Sequence, residues 1–215
     1  VLTGSSVFDN ILASAGNDTL SGGGGGDNLL GGDGDDTISG GTGNDELDGG
    51  ADADMMVGGG GDDRFLYLEA SEIAPGESID GGAGSGDAIV VHSSGEYHFT
   101  GISISRVERL VFAMSNNVVV NLGQDQIGTG AIVAVDGTAG ANVVRISGMN
   151  VDLTDVVFNT WSANDAIIIA GSAAVANVLT GSGMDDRITG GDLDDIVHGG
   201  AGADTLDGGG GGIDT

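Results

Sequence analysis

Hydrophobic positions in the first third of the chain follow neither the 3.6-residue period of an amphipathic helix nor the plain alternation of a long strand. Large apolar side chains recur every nine residues, at Ile11, Leu20, Leu29, Ile38, Leu47, Met56 and Phe65. An aspartate precedes each by two positions, at Asp9, Asp18, Asp27, Asp36, Asp45, Asp54 and Asp63. The intervening segments are rich in glycine. GGGGGDNLL, GGDGDDTIS, GGTGNDELD and GGGGDDRFL carry Gly at their first, second and fourth positions, ASAGNDTLS and GGADADMMV are near copies, and GSSVFDNIL keeps only the Asp and the apolar residue. A fixed short period of this kind marks stacked repeats, each of which buries one side against a neighbour.

The phase returns at Ser172 in SAAVANVLT, GSGMDDRIT, GGDLDDIVH and GGAGADTLD, with Asn177, Asp186, Asp195 and Asp204 at the acidic position. DGGGGGIDT places Asp214 one residue late, and GGAGSGDAI does the same with Asp87. VLTGSSVFDNIL at residue 1 aligns with VLTGSGMDDRIT at Val178, so array, spacer and array are expected to alternate in a longer protein.

Gly at the first, second and fourth positions is expected to supply positive φ, so that six residues make a tight turn with inward carbonyls. The last three residues then extend as a strand whose apolar eighth residue faces one side while its neighbours face the other. Two units make one coil, so unit n stacks over unit n+2. The stack aligns Asp9, Asp27, Asp45 and Asp63 in one column and Asp18, Asp36 and Asp54 in another.

Residues 67–171 hold both Tyr, Trp161 and most of the Phe. AIVVH, EYHFT, ISISRVERLVF, NVVVNL, AIVAV, NVVRIS, VDLTDVVF and DAIIIA are β-branched runs bounded by Gly, Asn or Asp and predict strands. Apolar centres near Val111, Val119, Val133, Val144, Val157, Ile168 and Leu179 predict a solenoid with longer rungs that bind no metal; a small antiparallel sheet or sandwich is the alternative. No helix is predicted.

Composition then constrains the chemistry. Of 215 residues 45 are Gly and one is Pro, which fits neither collagen nor a Pro-rich linker. Cys is absent, which excludes disulfides and thiolate metal sites. Asp plus Glu number 33 against 5 Lys plus Arg, a formal charge of -28 that excludes nucleic acid and anionic membranes as partners. No run of eighteen apolar residues and no basic segment ahead of an apolar one is present, so neither a membrane span nor a signal peptide is predicted. Carboxylates stacked about 5 Å apart, the spacing of adjacent strands, repel one another without a counter-charge. Calcium, which takes six to eight oxygen ligands from carboxylates and carbonyls in irregular geometry, answers that repulsion.

The unit GGxGxDxUx resembles the calcium-binding nonapeptide of the repeats-in-toxin (RTX, haemolysin-type) family. The resemblance implies an all-β fold, a right-handed parallel β-roll or solenoid, in which each ion lies between turns n and n+2. One turn would give the carbonyls of its second and fourth residues and its Asp, and the next the carbonyls of its first and third residues and its Asp. Carried onto this chain, one site joins Gly23, Gly25 and Asp27 to Gly40, Thr42 and Asp45, and a second joins Gly41, Gly43 and Asp45 to Gly58, Gly60 and Asp63. On the other side Ser14, Gly16 and Asp18 meet Gly31, Asp33 and Asp36, and Gly32, Gly34 and Asp36 meet Gly49, Ala51 and Asp54. The second array offers Ser182, Met184 and Asp186 with Gly199, Ala201 and Asp204. Asp9, Asp87, Asp195 and Asp214 sit in degenerate copies, and Asn177 lowers the charge of its pair with Asp195. Five sites are therefore well formed and three degenerate. SISRVERLVF also resembles spacers between arrays in secreted members of the family.

Rival chemistries find little support. The GxGxxG match within the poly-Gly run lacks a leading strand and a following helix, and acidic turns repel phosphate. His92, His98 and His198 lack a third metal ligand, and His198 is expected to face outward. The pairs Asp185/Asp186 and Asp194/Asp195 resemble a glycosidase dyad, but the repeat period accounts for one member of each. GxSxG, HExxH and EF-hand loops are absent. Trp161 reads as core rather than as a sugar platform, and a flexible Gly-rich linker would not phase its apolar residues.

The sequence thus predicts a calcium-binding array over residues 1–66, a β-rich spacer over 67–171 with a lone degenerate repeat at 81–90, and a second array over 172–215. The implied function is a non-catalytic module of a secreted or surface bacterial protein that folds on binding calcium outside the cell, with type I secretion implied by the family. Neighbouring repeat modules and a glycan or surface structure are the candidate partners beyond calcium. An adhesin or surface-layer piece, or a module attached to a polysaccharide-active enzyme, is the alternative.

Overall fold

A computed structural model describes residues 1–113, 117–128 and 130–215. Two compact units form, residues 1–93 with 101–114 and residues 94–100 with 115–215. Both are built from parallel strands wound as a β-solenoid, and the only helical segment among the described residues is the 3-10 turn Ala70–Glu72.

In the first unit successive strands go alternately to two sheets. One contains Leu2–Thr3, Thr19–Gly24, Thr37–Thr42, Met55–Gly60, Ser78–Ala83 and Ser103–Ser105. The other contains Asn10–Leu12, Asn28–Asp33, Glu46–Ala51, Arg64–Tyr67, Ala88–Val91 and Arg109–Phe112. Register follows two nonapeptides per coil: Leu20 lies beside Ile38 and Ile38 beside Met56, while Leu29 lies beside Leu47 and Leu47 beside Phe65. Leu20, Leu29, Ile38, Leu47, Met56 and Phe65 are buried, and Ile11 is half-buried. One such anchor contributes roughly 1.5–3 kcal/mol, whereas ordering the backbone costs about 1–2 kcal/mol per residue. A single unit therefore cannot stand, and stability comes from the stack.

The loop between Tyr67 and Ser78 interrupts the period without breaking the sheets. Met56 pairs with Ile79 and Phe65 with Ile89 on its far side. Beneath the loop the buried Tyr67 hydroxyl donates to the buried Glu77 carboxylate.

In the second unit Gly95–His98, Val118–Gly123, Val143–Ser147, Ala166–Ala170, Asp186–Gly191 and Thr205–Gly209 form one parallel sheet. Asn150–Asp152, Val178–Thr180 and Ile196–His198 form another, and Ala134–Asp136 pairs with Val157–Asn159. The solenoid therefore continues through the β-branched region, and the antiparallel alternative is overturned. Rungs there lengthen, with the Asn142–Asp165 pair 23 residues apart against 18 for Asp27–Asp45. Of the expected apolar centres Val144 and Leu179 face the core. Val119 and Ile168 are only half-buried, Val157 is exposed, and Val118, Val120, Phe158, Ile167 and Ile169 face inward instead. A slip of one residue reverses every face of a strand, and runs apolar on both faces leave that choice open.

Candidate metal centres

The aspartates of the repeat form ladders in which the two carboxylate oxygens have different tasks. One oxygen accepts a main-chain N–H from the preceding coil: Asp27 Oδ1 from Asp9, Asp36 Oδ1 from Asp18, Asp45 Oδ1 from Asp27, Asp54 Oδ1 from Asp36 and Asp63 Oδ1 from Asp45, all at 2.7–2.8 Å. The other oxygen, Oδ2 of Asp27, Asp36, Asp45, Asp54 and Asp63, is buried and has no hydrogen-bond partner among the described residues. Such an atom carries the full desolvation cost of an unmade hydrogen bond.

The unpartnered oxygens meet carbonyls across bare glycines. A Cβ on Gly22 would stand within 3 Å of both Asp27 Oδ2 and the Gly40 carbonyl oxygen. The same holds at Gly31 for Asp36 Oδ2 and Gly49 O, at Gly40 for Asp45 Oδ2 and Gly58 O, and at Gly181 for Asp186 Oδ2 and Gly199 O. The first glycine is thus required for space and does not adopt positive φ, contrary to the sequence expectation. The second and fourth do: Gly23 has φ 102° and Gly25 φ 105°. Their carbonyl oxygens point at Gly41 and Gly43 of the next coil, where a Cβ would again meet them within 3 Å. The Ser14 carbonyl likewise points at Gly32, and Gly16 lies beneath Gly34. The third-position carbonyls of Asp33, Thr42, Ala51 and Gly60 accept N–H bonds from Gly16, Gly25, Gly34 and Gly43, which leaves each a second lone pair.

Burial first, and then neighbouring carboxylates, push these groups upward. Asp54 reaches about 7 and Asp63 and Asp186 about 6, in each case despite hydrogen bonds from the main chain that favour the charged form. Asp36, Asp45 and Asp87 are raised for the same leading reason. Arginine charge is engaged outside the ladders, where Arg64 pairs with Glu46, Arg106 with Asp80 and Arg145 with Glu96. Buried, convergent and unpartnered oxygens fit a hard divalent cation, which removes both the repulsion and the desolvation cost. Among the described residues no group of three acidic or imidazole side chains converges. Main-chain carbonyls must then supply the larger share of any ligand set.

The degenerate copies sort by local detail. Asp87 is not isolated, because its Oδ1 accepts the Asp63 N–H at 2.7 Å and a Cβ on Gly58 would meet both Asp63 Oδ2 and Gly81 O. Asp195 keeps an unpartnered Oδ2, and its N–H donates to Asp214 Oδ1 at 3.1 Å. Asp9 Oδ2 instead accepts the N–H and hydroxyl of Ser5, and Asp186 Oδ2 those of Ser182. In these two turns the second-position serine supplies donors of its own to the carboxylate. Asp204 Oδ1 accepts the Asp186 N–H at 3.0 Å, and Ala201 N–H donates to the Ser182 carbonyl. Met184 O points at Gly202.

A second ladder went unread in the sequence. The fifth-position side chains Asn17, Asp35, Asn44, Asp62, Asp185 and Asp194 each accept a main-chain N–H from the following coil. Recurrence of Asn or Asp just before the repeat aspartate is the signal, and it accounts for the second member of the Asp185/Asp186 and Asp194/Asp195 pairs. Asn142 also extends the repeat geometry into the β-branched region, its N–H donating to Asp165 Oδ1 at 2.7 Å. His198 and His98 are exposed, and Trp161 packs edge-on against Phe158 at 5.2 Å.

Parallel coils with turns that align carboxylate and carbonyl oxygens define a calcium-binding structural module. Residues 3–38, 30–65 and 180–212 match the family described as RTX calcium-binding nonapeptide repeat (4 copies), so these segments carry calcium-binding repeats of that family. No curated protein and no solved structure matches the chain. No helix among the described residues is long and apolar enough to cross a membrane.

Proposed function

We propose that this chain is a calcium-triggered folding module within a larger secreted or surface bacterial protein, exported by a type I route and doing no catalysis of its own. Calcium-binding arrays over residues 1–66 and 172–215 flank the β-rich region 67–171. The sites pair Asp27 with Asp45, Asp45 with Asp63, Asp18 with Asp36, Asp36 with Asp54 and Asp186 with Asp204, with up to three further ions at the degenerate pairs. Eight divalent ions would reduce the formal charge from -28 to -12.

The observation that carries this reading is the row of buried Oδ2 atoms facing carbonyl oxygens with no donor between them. Without a cation those groups oppose folding, so binding and folding form one equilibrium. Extracellular modules bind calcium at about 10⁻⁴–10⁻³ M, so the aspartate turns of such a chain stay open in a calcium-poor cytosol and close outside. A calcium titration followed by far-UV circular dichroism and Trp161 fluorescence, with magnesium as control, tests it. Cooperative gain of β signal with calcium alone is expected. A chain fully folded in chelator and indifferent to calcium would refute the reading.

A further inference from the structure

One turn of the second unit is built like the others but holds a nitrogen where they hold a bare oxygen. Asn177 occupies the aspartate position and is 1% exposed. Its N–H donates to Asp195 Oδ1 at 2.7 Å, as each ladder aspartate does to the next. Its side-chain nitrogen Nδ2 lies 2.9 Å from Ser172 O, 3.0 Å from Val175 O, 3.3 Å from Gly190 O and 2.8 Å from Asp195 Oδ1. Ser172 follows the turn's first glycine, Gly171, and Val175 stands two residues before Asn177. These acceptors therefore correspond to Gly23 O, Gly25 O, Gly40 O and the Asp45 carboxylate in the first array: one turn's second and fourth carbonyls, then the next turn's first carbonyl and carboxylate. A Cβ on Gly171 would meet Gly190 O and Asn177 Nδ2, where one on Gly181 meets Gly199 O and Asp186 Oδ2.

We infer that the Asn177 amide stands in for a calcium ion and closes this turn without metal. The inference rests on the calcium reading above. An amide NH₂ brings two protons among converging acceptors, so it supplies donors where the other turns have none, without adding charge, and it leaves one acid fewer to repel Asp195. Asn142 repeats the device in reduced form: it is fully buried and donates through Nδ2 to Thr138 O at 3.1 Å and Asp165 Oδ1 at 3.0 Å. In the first unit the corresponding positions 9, 18, 27, 36, 45, 54, 63 and 87 are all Asp. The second unit thus carries turns that an amide holds in the absence of calcium, a device that no ladder position of the first unit has.

The test is hydrogen exchange by mass spectrometry on the full chain in chelator, with equilibrium dialysis of calcium on the same protein. Segments 171–180 and 190–197 are expected to exchange more slowly than 19–33 by on the order of tenfold. Asn177→Asp should abolish that protection in chelator and bind one more calcium ion than the unsubstituted chain. Asn177→Ala should lose the protection and gain no ion, which separates loss of the donor from a gained site. Equal exchange of the two regions in the unsubstituted chain, or no extra ion in Asn177→Asp, would overturn the inference. An unsubstituted chain that binds no calcium at all in the dialysis would overturn the calcium reading and this inference together, and is recognised without any variant.

Discussion

Asp45 Oδ1 accepts the main-chain N–H of Asp27 at 2.7 Å, while Oδ2 of the same carboxylate is buried without a hydrogen-bond partner among the described residues. One side chain therefore joins two coils through its first oxygen and, across Gly40, approaches the Gly58 carbonyl with its second. Folding and ion capture meet at that residue.

Because Asp45 belongs to two of the proposed sites, Asp45→Ala should raise the calcium midpoint of folding on the order of tenfold, following the loss of ligand charge. Asp207→Ala is the control: Asp207 is exposed and only accepts the Gly209 N–H at 3.0 Å. Its midpoint should match that of the unsubstituted chain. Coincident midpoints for the two variants in a dichroism titration would contradict the ligand assignment.

Glycine at the first position of a turn is there for space. Gly40→Ala forces a Cβ against Asp45 Oδ2 and Gly58 O, and should cost roughly 1–3 kcal/mol as an overpacked site does. A methyl group on Gly183, in the third position, would meet nothing within 4 Å, and the backbone there does not adopt positive φ. Gly183→Ala should therefore be neutral or stabilise by about 0.4–1 kcal/mol. Urea unfolding in saturating calcium distinguishes them.

The core anchor is independent of metal. Leu47 is 0% exposed, and Leu47→Ala should cost about 2–5 kcal/mol even when every site is filled. Unfolding at saturating calcium measures it, and a variant rescued completely by more calcium would show that the anchor contributes nothing of its own.

Acidity should substitute for calcium in part. Burial holds Asp54 and Glu77 at about 7 and Asp63 and Asp186 at about 6 in the metal-free fold, against unfolded values of about 4. A carboxyl that binds its proton more tightly when folded stabilises the fold fully below the unfolded value, and that contribution is lost as pH rises through the folded one. In chelator the β signal should therefore be strongest near pH 4 and fade between about pH 6 and 7. With calcium the dependence reverses, because protons compete for the same oxygens, and the calcium midpoint should fall as pH rises over that range. A metal-free chain with a pH-independent signal would refute the assignment.

The arrays were legible because one apolar residue per nine, phased to an aspartate, leaves a single register: Leu20 can lie beside Ile38 and nowhere else. The β-branched region lacked that phase. Val119 and Val120 are equally apolar, so sequence could locate the strand Val118–Gly123 but not the face that packs. Asp87 looked isolated because the loop before Ser78 displaces it from the nine-residue count, although its hydrogen bond to Asp63 continues the column. The role of Asn177 was hidden for another reason: loss of charge was visible, but the donors that replace a cation appear only when four acceptors are seen around one nitrogen.

The stretch from first glycine to ladder residue is five positions in Gly22–Asp27 and Gly40–Asp45, yet six in Gly81–Asp87, Gly171–Asn177 and Gly208–Asp214. Strands on either side keep their registry in both cases, as Gly59 beside Gly82 and Gly191 beside Gly209 attest. The spacing is elastic while its two ends are pinned. These turns are accordingly the seams at which the polypeptide can accept an extra residue, or lose one, without disturbing the wall it is woven into.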